Sequence, residues 1–404
     1  MPQPEPNRRL RQLFWLFATT LLGVSFIPLV RLRAHHWRRV PRKGGVLIIA
    51  NHTTFFDPVL VSWAARRRTH GVGTDQMLRV PFLGRLIPWL SVISFAKGMK
   101  DRAAMTEIGD RISDGGVVLL FPEGNRSWTG RMQPIKDSTG RLAKRLGCTV
   151  SFCRMTTAHF HWPRWARYPR LVPIHIEFLP TKIYDDSFTD AEVTADLVAK
   201  VAVDPNTTPL PRFSWGFRVA WGLPKFLWAC PSCFALGTVT LVDNSRIGCS
   251  ACQGVWRVDL TCRLHAEHDG TQTTVDLVYY QILDHFGALP VADTERFADD
   301  GEVLVGAQTR VELVHRGIVE PEVLGEGTMT VYNNRLTFDA MRPEDSFSLD
   351  YSEIQAVLMQ IGSKLQVRTE ARNYQIRPSR YSINLWKHFL SAHFEHAKRT
   401  TGGN

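Results

Sequence analysis

The chain has 404 residues and a formal net charge of +11, long enough for two or three domains that each bury a core. Sixteen basic and three acidic residues fall in the first hundred positions, so the basicity is local and the remainder is slightly acidic. Those arginines flank an apolar block instead of alternating with aromatics along a polar face, which excludes nucleic acid as the partner of the segment.

Arg8, Arg9 and Arg11 precede an apolar run from Leu13 to Val30, and Arg31, Arg33, Arg38 and Arg39 follow it. As a helix this run reaches ~27 Å, the lower limit for crossing a hydrocarbon core. Crossing would carry one arginine cluster through the membrane, against the positive-inside bias, and Pro28 disturbs the last turn. A helix dipping into one leaflet is therefore expected, with a single span and a buried helix as the alternatives. A cleaved signal peptide is not expected, because no small-residue cleavage pattern follows the run.

Gly45 to Ala50 is a short apolar run that reads as a buried strand. It ends at Asn51-His52, and Asp57 follows five positions after the histidine. Val59 to Arg67 reads as a helix, with Asp57 at its N-cap and Pro58 in its first turn. A tight turn between His52 and Asp57 can fold the carboxylate back onto the ring, where it fixes the tautomer and stabilises the imidazolium. Alone, the pair reads better as a structural histidine capping the strand and an ordinary helix cap. A second buried strand, Gly116 to Phe121, changes the balance, because it too ends in a polar turn, Pro122-Glu123-Gly124-Asn125-Arg126-Ser127. Gly124 lets the backbone approach an anion, Arg126 offers a fork matched to phosphate oxygens, and Glu123 is expected to hold that arginine or the loop. Two strand ends then present a base and a phosphate grip together, which points to acyl transfer onto a phosphate-bearing alcohol.

These residues resemble the glycerolipid acyltransferase family that includes the 1-acyl-glycerol-3-phosphate acyltransferases, over about Gly44 to Lys182. Asn51, His52 and Asp57 match the first block of that family. Phe121 to Ser127 matches the third, except that Asn125 stands where the family has threonine. Val80 to Gly84 resembles its proline-aromatic-glycine turn. Ser91 to Lys97 occupies the second block, with Ser91 for the usual glycine and Lys97 for the usual arginine, so the charge survives and the bidentate fork does not. Gly140 to Arg145 is similar to the family's helix, whereas Cys148 to Cys153, the next strand, lacks the internal proline of the fourth block. Leu171 to Leu179 is the strand after it. The intervening His159 to Trp165 resembles nothing specific; its histidines read as loop residues, with lipid contact one option for the segment.

The resemblance implies an α/β domain, a mixed sheet flanked by helices, in which His52 held by Asp57 is the base. Lys97, Glu123, Gly124, Asn125 and Arg126 bind substrate. It further implies acyl-CoA or acyl carrier protein as donor, lysophosphatidic acid or a related lysolipid as acceptor, and phosphatidic acid as product. Such an acceptor arrives through the membrane surface, which gives the first helix its purpose and puts the protein at the cytoplasmic face. Another lysophospholipid or glycerol phosphate as acceptor, and a non-catalytic zinc-stabilised lipid-binding adaptor, are the alternatives.

Asn206 to Pro211 reads as a linker, and Phe213 to Trp228 as an aromatic, basic stretch lying against the first domain or the membrane. Cys230-Pro231-Ser232-Cys233 and Cys249-Ser250-Ala251-Cys252 form a double pair. Each close pair suits a thiolate knuckle, and the four sulfurs complete the tetrahedron of a structural zinc ribbon, with Thr238 to Val242 as a strand between them. Two disulfides or free thiols are the alternatives. Cys148, Cys153 and Cys262 lack such spacing and read as buried thiols.

From about Thr271, alternating runs such as Thr328 to Tyr332, Arg335 to Phe338 and Leu365 to Arg368 read as antiparallel strands, with Asn333-Asn334 a tight turn. Ser382 to His396 reads as an amphipathic helix carrying Ile383, Trp386, Phe389, Leu390 and Phe394 on one face. This pattern resembles a pleckstrin-homology (PH) or GRAM-like β-barrel with a C-terminal helix. No lysine-arginine cluster lies between the strands, so regulation or docking is expected, with phosphoinositide binding or a structural appendage as alternatives. The expected division is a membrane-associated helix and basic flank (1–43), an acyltransferase domain (44–205), an aromatic linker (206–229), a zinc ribbon (230–265) and the mostly-β domain (271–400).

Overall fold

A computed structural model describes residues 7–74, 89–90, 92–95, 102–135, 137–286, 301–314, 321–360, 364–379 and 382–401. Helix α1 (Arg8–Leu29) begins where Asn7 accepts a hydrogen bond from the Arg9 amide, one turn before the apolar run. Leu13, Leu16, Phe17, Leu21 and Val24 remain exposed on it, while Ile27 is buried at its C-terminal end. Among the described residues no helix is long and apolar enough to cross a membrane.

The first sheet contains β1 (Arg33–His35), β2 (Val46–Ala50), β3 (Thr69–Thr74), β4 (Ile93–Phe95), β5 (Val117–Leu120), β6 (Thr149–Met155) and β7 (His175–Phe178). Their spatial order is β1-β7-β6-β2-β5-β3-β4. All pairs are parallel except β6 with β7, so the sheet is mixed. Helices α2 (Asp57–Ala65), α3 (Arg102–Ser113), α4 (Ser138–Leu146), α5 (Ala158–His161) and α6 (Asp190–Val201) lie between and after these strands.

Strand β2 is at the centre, and its apolar run is explained by cover on both faces. Val46, Ile48 and Ala50 pack with Leu60, Val61 and Ala64 of α2 and with Ile27 of α1. Leu47 and Ile49 turn the other way, onto Ile108, Ala143 and Leu197. Each buried Leu, Ile or Val contributes ~1.5–3 kcal/mol, and this two-sided burial fixes where β2 ends.

Two expectations shift. Strand β7 starts at His175, not Leu171, because Pro173 has no N–H to give a ladder; Leu171 instead bridges to Trp215. The start of the His159 to Trp165 segment, whose histidines were expected as loop residues, lies in α5, with His159, Phe160 and His161 all buried. Burial holds the His159 imidazole neutral, pushing it down to about 3. His161 Nδ1 lies 2.9 Å from the Val172 carbonyl oxygen, so neither histidine is a surface contact.

Beyond α6 come the short helix α7 (Leu223–Phe226) and an antiparallel sheet of β8 (Val239–Leu241), β9 (Arg246–Cys249), β10 (Val255–Val258), β11 (Arg263–Ala266) and β12 (Gln272–Thr274), followed by α8 (Val275–His285). The last sheet holds β13 (Glu302–Leu313), β14 (Glu322–Tyr332), β15 (Arg335–Ala340), β16 (Phe347–Asp350), β17 (Ile354–Gln360), β18 (Lys364–Thr369) and β19 (Asn373–Arg377) in the order β16-β15-β14-β13-β19-β18-β17. All its pairs are antiparallel. The edge strands β16 and β17 are not paired to each other among the described residues, so the expected barrel is a half-barrel. Helix α9 (Ile383–Thr401) closes it, burying Ile383, Trp386, Phe389, Leu390 and Phe394 as the amphipathic pattern predicts. One apolar core runs from Phe160 and Trp165 of the first domain through Trp228, Ile247 and Tyr279 to Trp386.

Candidate active site

Register builds the site. Ile49 of β2 stands opposite Leu120 of β5, and three residues further along each parallel strand the two loops meet. The His52 amide donates to Glu123 Oε1 at 2.7 Å, and the Gln133 amide donates to Glu123 Oε2 at 2.9 Å. In return the Ser127 amide donates to the His52 carbonyl oxygen at 2.8 Å. Glu123 therefore holds the histidine loop, not Arg126. Burial pushes its carboxyl up to about 8, against the two amide hydrogen bonds and with a smaller upward push from Asp57.

On the other side, Asn51 extends the pairing of β2 with β6 by a side chain. Its Oδ1 accepts from the Met155 amide at 2.8 Å, and its Nδ2 donates to the Met155 carbonyl at 3.2 Å. The backbone before and at His52 is thus fixed from both neighbouring strands.

His52 Nδ1 lies 2.9 Å from Asp57 Oδ2. The same oxygen accepts from the amides of Thr53 at 2.6 Å and Thr54 at 2.8 Å, and the Thr54 hydroxyl donates to Oδ1. Asp57 is fully buried. It is the first residue of α2 and not the residue before it, the cap position being Phe56, because its carboxylate turns back to gather the 53–54 amides. A carboxylate held by that many donors accepts from the ring, so Nδ1 carries the hydrogen and Nε2 keeps its lone pair. The ring stacks on Phe121 with centroids 4.2 Å apart, and the side chain is 18% exposed. This arrangement can take a proton at Nε2.

Gly124 turns the second loop with φ +64°, and no atom lies within 4 Å of where a Cβ would stand. Its amide donates to the Phe121 carbonyl at 3.0 Å, closing the turn, while Asn125 is exposed beside it. Arg126 is half-buried, its Cζ 5.9 Å from the Phe55 ring centroid. Among the described residues it has no ion-pair partner; burial lowers its guanidinium, with Asp57 pulling the other way. A second guanidinium stands next to it. Arg164 Nη1 donates to the Arg126 carbonyl at 2.6 Å, and its Cζ lies 4.2 Å from the Trp128 ring centroid. Burial, followed by the charge of Arg126, pushes Arg164 down to about 9.

His52, Asp57, Glu123, Gly124, Asn125 and Arg126 therefore come together beyond the C-terminal ends of the neighbouring strands β2 and β5. Lys97, Ser91 and the Val80 to Gly84 turn lie outside the described residues. Sequence reasoning missed Arg164, which sits in the stretch that resembles nothing specific and reaches a carbonyl, a contact that leaves no motif. It also left Thr54 and Phe121 without roles, although both lie inside the motifs.

A second cluster joins Cys230, Cys233, Cys249 and Cys252, whose Sγ atoms all lie within 4.8 Å of one another. Cys230 and Cys252 sulfurs are 3.6 Å apart, and those of Cys233 and Cys249 3.8 Å. The amides of Ser232 and Cys233 donate to Cys230 Sγ at 3.4 Å, and that of Ala251 to Cys249 Sγ at 3.3 Å. Such a cage can hold a metal ion.

Comparison with known proteins agrees with the family resemblance. Residues 31–156 match the family model described as "Acyltransferase". A 1-acyl-sn-glycerol-3-phosphate acyltransferase of Limnanthes alba is 29% identical over 151 residues, covering 37% of this chain and 54% of the relative. A lyso-ornithine lipid O-acyltransferase of Rhizobium meliloti is 30% identical over 137 residues, covering 33% and 43% respectively. The chain spans about half the length of these two curated relatives. Among solved structures, the 1-acyl-sn-glycerophosphate (LPA) acyltransferase of Thermotoga maritima aligns at 16% identity and a TM-score of 0.38, over 48% of this chain and 76% of that one.

Proposed function

We propose that this chain, whose residues 31–156 belong to the acyltransferase family, transfers an acyl group from a thioester donor to the free hydroxyl of 1-acyl-glycerol-3-phosphate, making phosphatidic acid. The observation that carries the reading is a buried Asp57 orienting His52 at 2.9 Å beside an Arg126 with no ion-pair partner among the described residues. His52 Nε2 takes the hydroxyl proton as the acceptor oxygen attacks the thioester carbonyl. Asp57 stabilises the imidazolium that results. The carbon–sulfur bond then breaks, the ester remains on the glycerol, and the thiolate leaves with the proton that Nε2 returns. No acyl-enzyme is needed.

Arg126 grips the acceptor phosphate, its two-pronged geometry matching two oxygens. Lys97 is assigned to the same phosphate by its place in the second block. Acyl-CoA or acyl carrier protein is the donor. Because the acceptor is amphiphilic, the exposed apolar side chains of α1 lie in the interface of one leaflet, on the cytoplasmic side, with Arg31, Arg33, Arg38 and Arg39 at the headgroups.

The four cysteines hold a structural zinc ion. Tetrahedral Zn–S bonds of ~2.3 Å require sulfurs ~3.8 Å apart, against 3.6 and 3.8 Å between the two facing pairs here. With four sulfurs as ligands, no position is left for substrate. The half-barrel with α9 serves as a PH- or GRAM-like docking or regulatory module.

Incubation with labelled oleoyl-CoA and a panel of lysolipids, including lysophosphatidate, lyso-ornithine lipid and glycerol phosphate, tests the function. Lysophosphatidate is expected to be the best acceptor. Preference for lyso-ornithine lipid would move the assignment to another lysolipid, the substrate named for one relative, and no ester product from any of them would leave the adaptor reading.

A further inference from the structure

Three exposed rings project from the loop after Pro211. Phe213 is 74% exposed, Trp215 59% and Phe217 51%. The residues between them face inward. Gly216 sits where a Cβ would come within 2.6 Å of Leu260 Cδ2 and 3.0 Å of Val219 Cγ1, and Ser214 Oγ donates to the Pro211 carbonyl at 2.6 Å. Exposure therefore alternates along the loop, with the three rings outward and Gly216 packed against the protein.

The loop backbone is held firmly in this presentation. Trp215 accepts from the Leu171 amide at 2.8 Å and donates to the Leu171 carbonyl at 3.2 Å. Phe213 has φ +61°, a left-handed conformation that a bulky residue takes only when its surroundings impose it. The imposing contact is Arg31, whose Nη2 donates to the Phe213 carbonyl at 2.8 Å and to the Leu171 carbonyl at 2.5 Å. Arg31 lies two residues past α1, so one guanidinium fastens the aromatic loop to the end of that helix, where Leu29 is 61% exposed.

We propose that Phe213, Trp215 and Phe217 form a second membrane contact, distant from α1 in sequence and continuous with it in space, that inserts into the interface of a bilayer carrying anionic lipid. The proposal rests on the reading that the protein works at a membrane. Charge selects lipid over a protein partner. Arg212 lies 4.8 Å from the Phe213 ring and Arg218 5.0 Å from the Phe217 ring, and no acidic residue occurs between Asp204 and Asp243. Aromatic rings with arginines beside them are the pattern of the headgroup layer. Two contacts also fix the rotation of the molecule about α1, which one helix leaves free. The catalytic loop lies on the same helix, with the Phe56 ring centroid 4.8 Å from that of Phe26, so that rotation decides whether the site faces the leaflet.

Flotation of the full chain with vesicles of phosphatidylcholine and 30 mol% phosphatidylglycerol tests this. A Phe213→Ala, Trp215→Ala, Phe217→Ala variant is expected to lower the partition coefficient by about tenfold. Its melting temperature and its turnover of a short-chain acceptor kept below micelle concentration should not move. Brominated lipid should quench a component of the wild-type fluorescence that Trp215→Phe lacks. A Leu13→Asp, Phe17→Asp, Leu21→Asp variant of α1 separates the two ideas. If that variant detaches and the triple-alanine variant binds as wild type does, the aromatic contact is wrong and the membrane reading stands; if the wild-type chain does not float with the vesicles, both fall. A triple-alanine chain that binds vesicles normally but loses self-association would make the loop a protein interface and overturn the proposal.

Discussion

Arg164 donates to the carbonyl oxygen of Arg126 at 2.6 Å from 38 residues away in sequence. The guanidinium of Arg164 therefore sits at the backbone of the turn that carries Arg126, and both side chains are half-buried. The bond runs to the backbone of Arg126, so Arg164 positions the turn. Removing it in Arg164→Leu loses a charge-assisted bond of ~1.5–3 kcal/mol, and KM for a phosphate-bearing acceptor is expected to rise about tenfold or more while kcat stays within about twofold. Arg164→Lys should recover part of the loss. Steady-state kinetics with varied acceptor separates the two parameters, and equal falls in kcat and kcat/KM would assign Arg164 to the chemistry instead.

The histidine and its carboxylate are expected to fail together. His52→Ala removes the proton acceptor, and a general base typically contributes 10²–10⁴-fold. Asp57→Asn leaves shape nearly intact but presents an amide where Nδ1–H now donates, favouring the wrong tautomer. Turnover should drop by roughly 10²–10⁴-fold in either variant, and the double variant should be little worse than the singles. Vesicle binding should persist in all three. Full turnover by His52→Ala would end its assignment as base.

Glu123 gives a pH dependence with a definite sign. Its carboxyl is pushed up to about 8 by burial, above the ~4.3 of an unfolded chain. Between these values the folded state binds a proton that the unfolded state has lost, so stability is highest below the lower value and declines as pH rises through 8. The melting temperature is expected to fall from pH 5 to pH 8.5, and Glu123→Gln, which removes the titrating group and keeps one of the two acceptor oxygens, should flatten that part of the decline. Glu123→Ala loses both amide contacts and should destabilise at every pH by ~2–4 kcal/mol. A slope unchanged in Glu123→Gln would assign it to other groups.

Much of the catalytic edge was legible because two requirements coincide there. A strand covered on both faces must be apolar throughout, so Val46 to Ala50 and Val117 to Leu120 mark themselves and their ends. Chemistry-bearing residues directly after those ends need only parallel register to meet. The grip of Glu123 on the His52 amide was half-read, since sequence cannot tell which of two nearby donors a carboxylate takes. His159 and His161 read as loop residues because histidine is ambiguous between surface and core; what buries Phe160 between them is the apolar core around Trp165 and Phe226, which no local pattern announces. The antiparallel strands of the last domain followed from alternation, whereas their pairing order and the open edge between β16 and β17 depend on long-range register that alternation does not encode.

Metal removal probes the other end of the chain. Cys230 and Cys249 are buried in the same core as Trp228, Val239 and Ile247, so the cage is a wall of that core. Zinc bound there adds its binding free energy to folding. Protein purified without chelator should contain about one zinc per chain by atomic emission. Cys233→Ser, a change at an exposed ligand, should lower that ratio and the melting temperature together. A strong chelator should reproduce the effect on wild-type protein and not add to it in the variant. Because Trp128 beside the phosphate turn stacks 5.5 Å from Phe226 of this core, KM for the acceptor is expected to rise as zinc is lost, before His52 chemistry fails. A metal ratio near zero in a fully stable protein would reduce the four cysteines to free thiols and break this connection.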